Sequence, residues 1–393
     1  MKKKLFTLAL ALLLTLAALP AAPAKAAGGS ITVYNWGQYI SDGSDGSLDV
    51  IAAFEEATGI KVNYMMFDSN ETMYTKLKTG GSSYDVIIPS DYMIARLIAE
   101  DMLEELNFDN IPNYQYIDAS FRGMDYDPEE KYSVPYTWGT VGLIYNTKYV
   151  QQPDSWTALW DEAYSGKILM FDNCRDAFGI AELIRGYSLN TTDVAQLEDC
   201  ADLLKQQKPL VQSYVMDQIY DKMIREEAWI APYYAGDYLQ MAADNEDLAF
   251  VFPKEGFNIF VDAMCIPKGC QNKEGAEAFI NFLCDPEISG QNLDYLGYSV
   301  PQTEARQYLD PETAASNIAY PSEETLANSE SFLYLPTQIS QAMDNLWLSV
   351  KTDGSNTGLY IGVAIAVVLI VAALAVVMQV QKKKKKARRG GQN

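Results

Sequence analysis

The chain contains no histidine among its 393 residues. That removes at one stroke the commonest general base and the commonest metal ligand. Cysteine is scarce and scattered: Cys174, Cys200, Cys265, Cys270 and Cys284, with no C-x-x-C pair. The spacing of Cys265 and Cys270 makes no zinc site without further ligands. An odd count leaves at least one thiol free or intermolecular, while others are open to pairing outside the cell. Basic residues are also few where they matter. Eleven of the 30 lysines and arginines are Lys2, Lys3, Lys4, Lys25, Lys382 to Lys386, Arg388 and Arg389, all at the two ends. The body between them sets 19 basic residues against 52 acids, a charge near −33 where the whole chain carries −22. Such a body repels nucleic acid and anionic lipid and concentrates cationic solutes around itself. The same acidity also serves simply to keep an extracellular protein soluble.

Both ends read as membrane traffic. Three lysines precede an apolar run from Leu5 to Leu19, and Ala24-Lys-Ala26 offers a small-x-small cleavage site. Residues 1–26 are therefore expected to be a secretory signal. Residues 359–380 have Gln379 as their only strongly polar side chain. A helix of that length spans the ~30 Å hydrocarbon layer. The basic run that follows, residues 381–393, predicts a cytoplasmic tail and an extracellular (or periplasmic) body. A tether over 351–357 would reach at most about 25 Å, holding the body close to the bilayer.

At this length the body calls for two domains or two lobes. Ile31-Thr-Val-Tyr-Asn-Trp-Gly-Gln-Tyr39 reads as a first buried strand running into exposed aromatics. A helix over 48–58, a strand over 60–67, a helix over 70–78, a strand over 84–89 and a helix over 93–101 follow. Strand alternating with helix predicts a parallel sheet covered on its faces. Pro135 to Asn146 is a long extended stretch able to cross between lobes. Beyond it, strands are expected over 167–171, 229–233, 248–252 and 258–267. Helices are expected over 193–205, 214–226, 273–284 and from Ile339 to Val350.

Strand ends repeatedly carry an aromatic with an acid: Trp36 and Tyr39; Ser90, Asp91 and Tyr92; Asp172, Asn173 and Asp176; Tyr234 and Asp237; and Phe260 with Asp262. Open α/β sheets hold ligands at such ends. Aromatic faces attract ammonium groups by ~0.5 to 2 kcal/mol each, and carboxylates supply the counter-charge. Each acid taken singly is equally a helix cap, and Trp36 taken singly is ordinary core. Together they suit a ligand with more than one positive centre.

The chain resembles the extracellular solute-binding proteins of spermidine/putrescine ABC transporters. The segments that carry the resemblance are Val33-Tyr-Asn-Trp-Gly-Gln-Tyr39, Asp68-Ser-Asn-Glu-Thr-Met-Tyr-Thr-Lys-Leu-Lys78, Tyr84-Asp-Val-Ile-Ile-Pro-Ser90, Tyr132-Ser-Val-Pro-Tyr-Thr-Trp-Gly139, Pro253-Lys-Glu-Gly256 and Lys273-Glu-Gly-Ala-Glu-Ala-Phe-Ile-Asn-Phe-Leu283. It implies a two-lobed periplasmic-binding-protein-like fold (type II) with a hinge, to which the chain adds one C-terminal transmembrane helix. Lobe one would take 30–137 and 263–306, and lobe two 138–262 and 307–350, with hinge motion near 138–142 and 258–261. It implies a polyamine ligand, permease and ATPase partners, and no cofactor or metal.

By the same resemblance, Trp36, Tyr39, Ser90 and Tyr92 would face the ligand from lobe one. Asp176 and Asp262 match family acids that bind amino groups, and Asp237 matches an acid of putrescine-type relatives. The sequence also departs from the pattern. Asn173 stands where an aspartate is typical of spermidine binders, Tyr234 and Phe260 replace tryptophans, and Phe332 aligns with a late glutamine. A diamine then becomes as good a candidate as spermidine. Three alternatives stay open at this point: a receptor of the same fold for another cationic or amino-acid-like solute, a hydrolase built on Asp172 and Asp176, and an adhesin or sensor that needs only the single span.

Overall fold

The computed structural model describes residues 29–80 and 83–352. The signal, the membrane span and the basic tail lie outside the described residues. Among those described, no helix is long and apolar enough to cross a membrane.

The amino-terminal half alternates as its periodicity predicts. Strand β1 (Ser30–Trp36) leads to α1 (Val50–Thr58), β2 (Lys61–Phe67), α2 (Asn70–Thr79), β3 (Val86–Ile87) and α3 (Asp91–Ala99). Local chemistry sets the helix ends. Asp49 accepts from the Ala52 N–H at the start of α1, and Gly59 closes it at φ +76°. Ser69 and Thr72 form a reciprocal capping box at α2. Strand β1 pairs in parallel with both β2 and β3.

Strand β4 (Ser133–Asn146) then crosses the molecule with every residue buried. Its first part pairs antiparallel with β9 (Phe257–Cys265), and its second part with β7 (Ile230–Tyr234) and β8 (Leu248–Val251). Strand β5 (Ile168–Phe171) lies parallel to β7 and to β6 (Val211–Val215). The order is β2-β1-β3-β9-β4-β7-β5-β6. Each outer arm is parallel and forms the sheet of one lobe, and the two long antiparallel strands β4 and β9 run between them. The sheet is therefore mixed, where strand-helix alternation alone predicted parallel pairing. Helices α4 (Cys174–Arg185), α5 (Val194–Gln207), α6 (Ile219–Ile224) and α7 (Ala235–Asp244) cover the second arm. Helices α8 (Lys273–Leu283) and α9 (Pro286–Leu296) return to the first, and α10 (Thr337–Thr352) packs on α5.

Several expectations are corrected. The stretch 214–226 is not one helix: Tyr214 and Val215 end β6, and only Ile219–Ile224 is helical. The strand at 84–89 is paired as a ladder only at Val86–Ile87. Lys351 and Thr352, the first residues of the expected tether, belong to α10. All five cysteines are free thiols.

One buried carboxylate ties the ends of lobe one. Asp85 is 4% exposed. It accepts from the N–H groups of Thr32 (2.7 Å), Gln271 (2.7 Å) and Asn272 (3.0 Å), and from the Cys270 thiol (3.1 Å). An Asp85→Ala variant strands those donors, and unmet buried donors cost about 1 to 3 kcal/mol. Thermal unfolding of this variant should show a melting point several degrees lower, with Asp85→Asn intermediate.

Candidate functional site

The carboxyl ends of β1, β2, β3, β5, β6 and β7 converge on a cavity of about 290 Å³ between the two arms, where β9 passes beneath it. The residues singled out in the sequence line this cavity: Trp36, Tyr39, Ser90, Asp91, Tyr92, Asn173, Asp176, Tyr234, Asp237, Phe260 and Asp262, and with them Asp172 and Phe332. Asp68, Asp172 and Asp217 add acids at the wall, and among the described residues no lysine or arginine lines it.

Asp262 sits at the floor, 3% exposed. Its Oδ2 accepts from the Tyr39 hydroxyl at 2.6 Å, and its Oδ1 has no partner among the described residues. Burial pushes its carboxyl up to about 6, against the opposing pull of Tyr39 and Ser90. Asp237, in the first turn of α7, accepts from Tyr220 and Tyr298, each at 2.5 Å, and burial raises it to about 6. Asp176, in the first turn of α4, accepts from Tyr234 at 2.9 Å. Burial lifts it to about 7, with Arg175 pulling the other way. Asp91 is raised to about 8, chiefly by burial. Its oxygens accept from the backbone N–H groups of Tyr92 and Val261, so it ties α3 to β9 as well as facing the cavity. Asn173 caps α4 by accepting from the Arg175 N–H.

Rings complete the wall. Tyr39 meets Tyr298 edge-on at 5.2 Å, Phe260 lies 6.4 Å from Tyr298, and Tyr234 lies 5.5 Å from Phe260. Gly139 lets this happen: a Cβ there would stand 2.8 Å from the Phe260 ring. Trp36 packs on Phe67 at 4.6 Å, and its indole N–H is buried without a partner. Tyr92 faces Phe332 at 6.0 Å. The arrangement is a box of aromatic faces with partly satisfied carboxylates and no internal cation. Buried charges need a partner, so the chemistry it lacks is a cation. Among the described residues no cluster of acids and cysteines is arranged to hold a metal ion.

The sequence reading did not single out Tyr298 or Asp217. Asp217 follows β6 and was hidden by reading that stretch as helix; as a strand end it fits the same pattern as the other acids. Tyr298 comes from the turn after α9, at Gly297, and nothing local in the sequence points to it. Its place depends on Gly236, where a Cβ would run into the Tyr298 ring. Gly236→Ala should displace that ring from Asp237. Overpacking of this kind costs about 1 to 3 kcal/mol, and a titration should read it as ligand affinity weakened about tenfold or more.

The family model for bacterial extracellular solute-binding proteins matches residues 49–321. The chain belongs to that family. The solute-binding relatives include the spermidine/putrescine-binding periplasmic protein of Escherichia coli, 34% identical over 300 residues, covering 76% of this chain and 84% of the relative. Two solved structures are each 38% identical. One, described as a spermidine/putrescine ABC transporter protein from Listeria monocytogenes, has a TM-score of 0.78 and covers 82% of this chain and 98% of that one. The other is the spermidine/putrescine substrate-binding protein PotD of Streptococcus pneumoniae, with a TM-score of 0.69 over 82% of this chain and 99% of that one. In this solute-binding chain the cleft therefore lies between the two lobes of a shared α/β fold.

Proposed function

We propose that the protein is the receptor of an ABC uptake system for polyamines, binding putrescine or spermidine between its lobes and handing it to a permease driven by an ATPase. The observation that carries this reading is Asp262: a buried carboxylate with one oxygen unpartnered at the floor of an aromatic, cation-free cleft. An ammonium supplies the missing donors and charge, and the methylene chain between ammonium groups suits the ring faces. An amino-acid-like solute fits less well, because its carboxylate would find no basic side chain on the wall. The relatives, named for spermidine and putrescine, agree with a polyamine.

In this reading the protein is a binder and carries out no reaction. Trp36, Tyr92, Tyr234 and Phe260 flank the ligand chain, and Asp176, Asp237 and Asp262 hold its charges. Lobe boundaries fall near 137/138 and 262/263, where β4 and β9 cross, so closure bends those strands. Residues 359–380 anchor the chain in the membrane with its tail cytoplasmic, on the strength of their hydropathy and the seven basic residues beyond. A tethered receptor raises its own effective concentration at the permease. Calorimetric titration with putrescine, spermidine and a panel of amino acids tests the reading. Saturable polyamine binding with silent amino acids supports it; heat from an amino acid and none from either polyamine overturns it.

A further inference from the structure

Two cations stand at one end of the cleft without lining it. The Arg175 guanidinium is 5% exposed and lies 4.6 Å from the centre of the Phe332 ring and 5.8 Å from that of Tyr92. Its Nη2 donates to the Asn190 Oδ1 at 2.9 Å and the Leu333 carbonyl at 3.3 Å, which fixes it in place. Its Nε and Nη1 are buried with no hydrogen-bond partner among the described residues, and the buried Glu182, the acid that acts on it most, makes no hydrogen bond to it. At the rim nearby, Lys351 of α10 pairs with Asp172. The side chains that close this end toward the ligand, Phe332 and Asn173, carry no charge, and the Asn173 carbonyl oxygen is spent capping α4. The opposite end differs: Asp237 faces Asp217, an acid that raises it further.

We propose that the Phe332–Arg175 stack closes one end of the cleft against a third ammonium, making the ligand a linear diamine rather than a triamine. This rests on the polyamine reading above. An ammonium has donors only and needs acceptors. At the Phe332 end it would meet a ring face already occupied from behind by a guanidinium, and an Asn173 oxygen already spent on capping α4. Asp172, an acid of the cavity wall, is paired through one oxygen with Lys351. Like charges a few ångströms apart in a poorly hydrated site repel strongly enough to shift affinity by about ten- to a hundredfold. A diamine avoids that penalty by placing its two charges among Asp176, Asp262 and Asp237. Length selection thus comes from a repulsive element behind the wall rather than from an added attractive one.

The test is calorimetric titration of the detergent-solubilised full-length protein with putrescine, cadaverine and spermidine, repeated on F332Q, R175Q and R175K. The unaltered protein should bind at least one diamine about tenfold or more tighter than spermidine. F332Q and R175Q should each move the spermidine-to-putrescine affinity ratio about tenfold toward spermidine, while R175K, which keeps the charge, should hold it. Melting curves identify any variant that has lost its fold, and F332Q alone then decides the ratio. Spermidine binding as tightly as the diamines, or a ratio untouched by F332Q, overturns the length filter and leaves the polyamine receptor standing. Silence with all three amines sinks both.

Discussion

Asp262→Asn should abolish most of the affinity for a polyamine while leaving the protein folded. The carboxylate is 3% exposed, and one oxygen is committed to Tyr39 while the other is unpartnered. Asparagine keeps the shape and an acceptor for Tyr39 but removes the charge and turns the second acceptor into a donor pair. Truncating one side of a buried charge pair costs about 2 to 5 kcal/mol in binding, or roughly thirtyfold to several thousandfold. In the ligand-free state the same change should raise stability, because it relieves the burial that holds the carboxyl up to about 6. Titration and melting of the one variant therefore move in opposite directions. A core residue with no ligand role would show unchanged affinity.

Affinity should also fall steeply on acidification. Asp262 and Asp237 sit at about 6, Asp176 at about 7 and Asp91 at about 8, each raised first by burial, while an unfolded aspartate titrates near ~3.9. Folded values above unfolded ones mean a stabilising share that is fully present below pH ~4 and is lost as pH rises through about 6 to 8. The ligand-free protein should therefore melt at higher temperature at pH 5 than at pH 8. A cationic ligand reverses the demand, because it needs these carboxylates ionised and so expels protons on binding. Arg175 and the raised Glu71 and Asp217 face the same cluster, so the group titrates together. Each proton released costs about tenfold in affinity per pH unit below the pKa, which makes binding at pH 5.5 at least about a hundredfold weaker than at pH 7.5. Titrations in buffers of different ionisation enthalpy count the protons directly. Heats that do not depend on the buffer would contradict the picture.

Much of the site was legible because it follows strand ends, which local patterns mark well. Trp36 and Tyr234 end strands of apolar residues, Ser90 and Asp176 stand at the starts of the helices that follow such strands, and the structure brings all four to one cavity. Where the strand was misread, the site residue was missed: taking Tyr214 as a helix start concealed Asp217. Long-range pairing was not legible. The Tyr39–Asp262 bond joins residues 223 apart in sequence, and the antiparallel β4–β9 pair joins residues more than a hundred apart, so no local period announces the mixed sheet. Helix α9 carried a readable start, Asp285 capping and Pro286 in the first turn, yet Tyr298 after it acquires meaning only from Gly236 and Asp237 on a distant helix.

The central claim is that an ammonium sits on Asp262 between the lobes. A crystal structure of the protein grown with putrescine tests it most directly. The account predicts an extended chain lying between Trp36 and Phe260, with one nitrogen at hydrogen-bond distance, about 2.7 to 2.9 Å, from the Asp262 Oδ1. A saturated crystal with the diamine bound elsewhere, and that oxygen still without an ammonium, would contradict it.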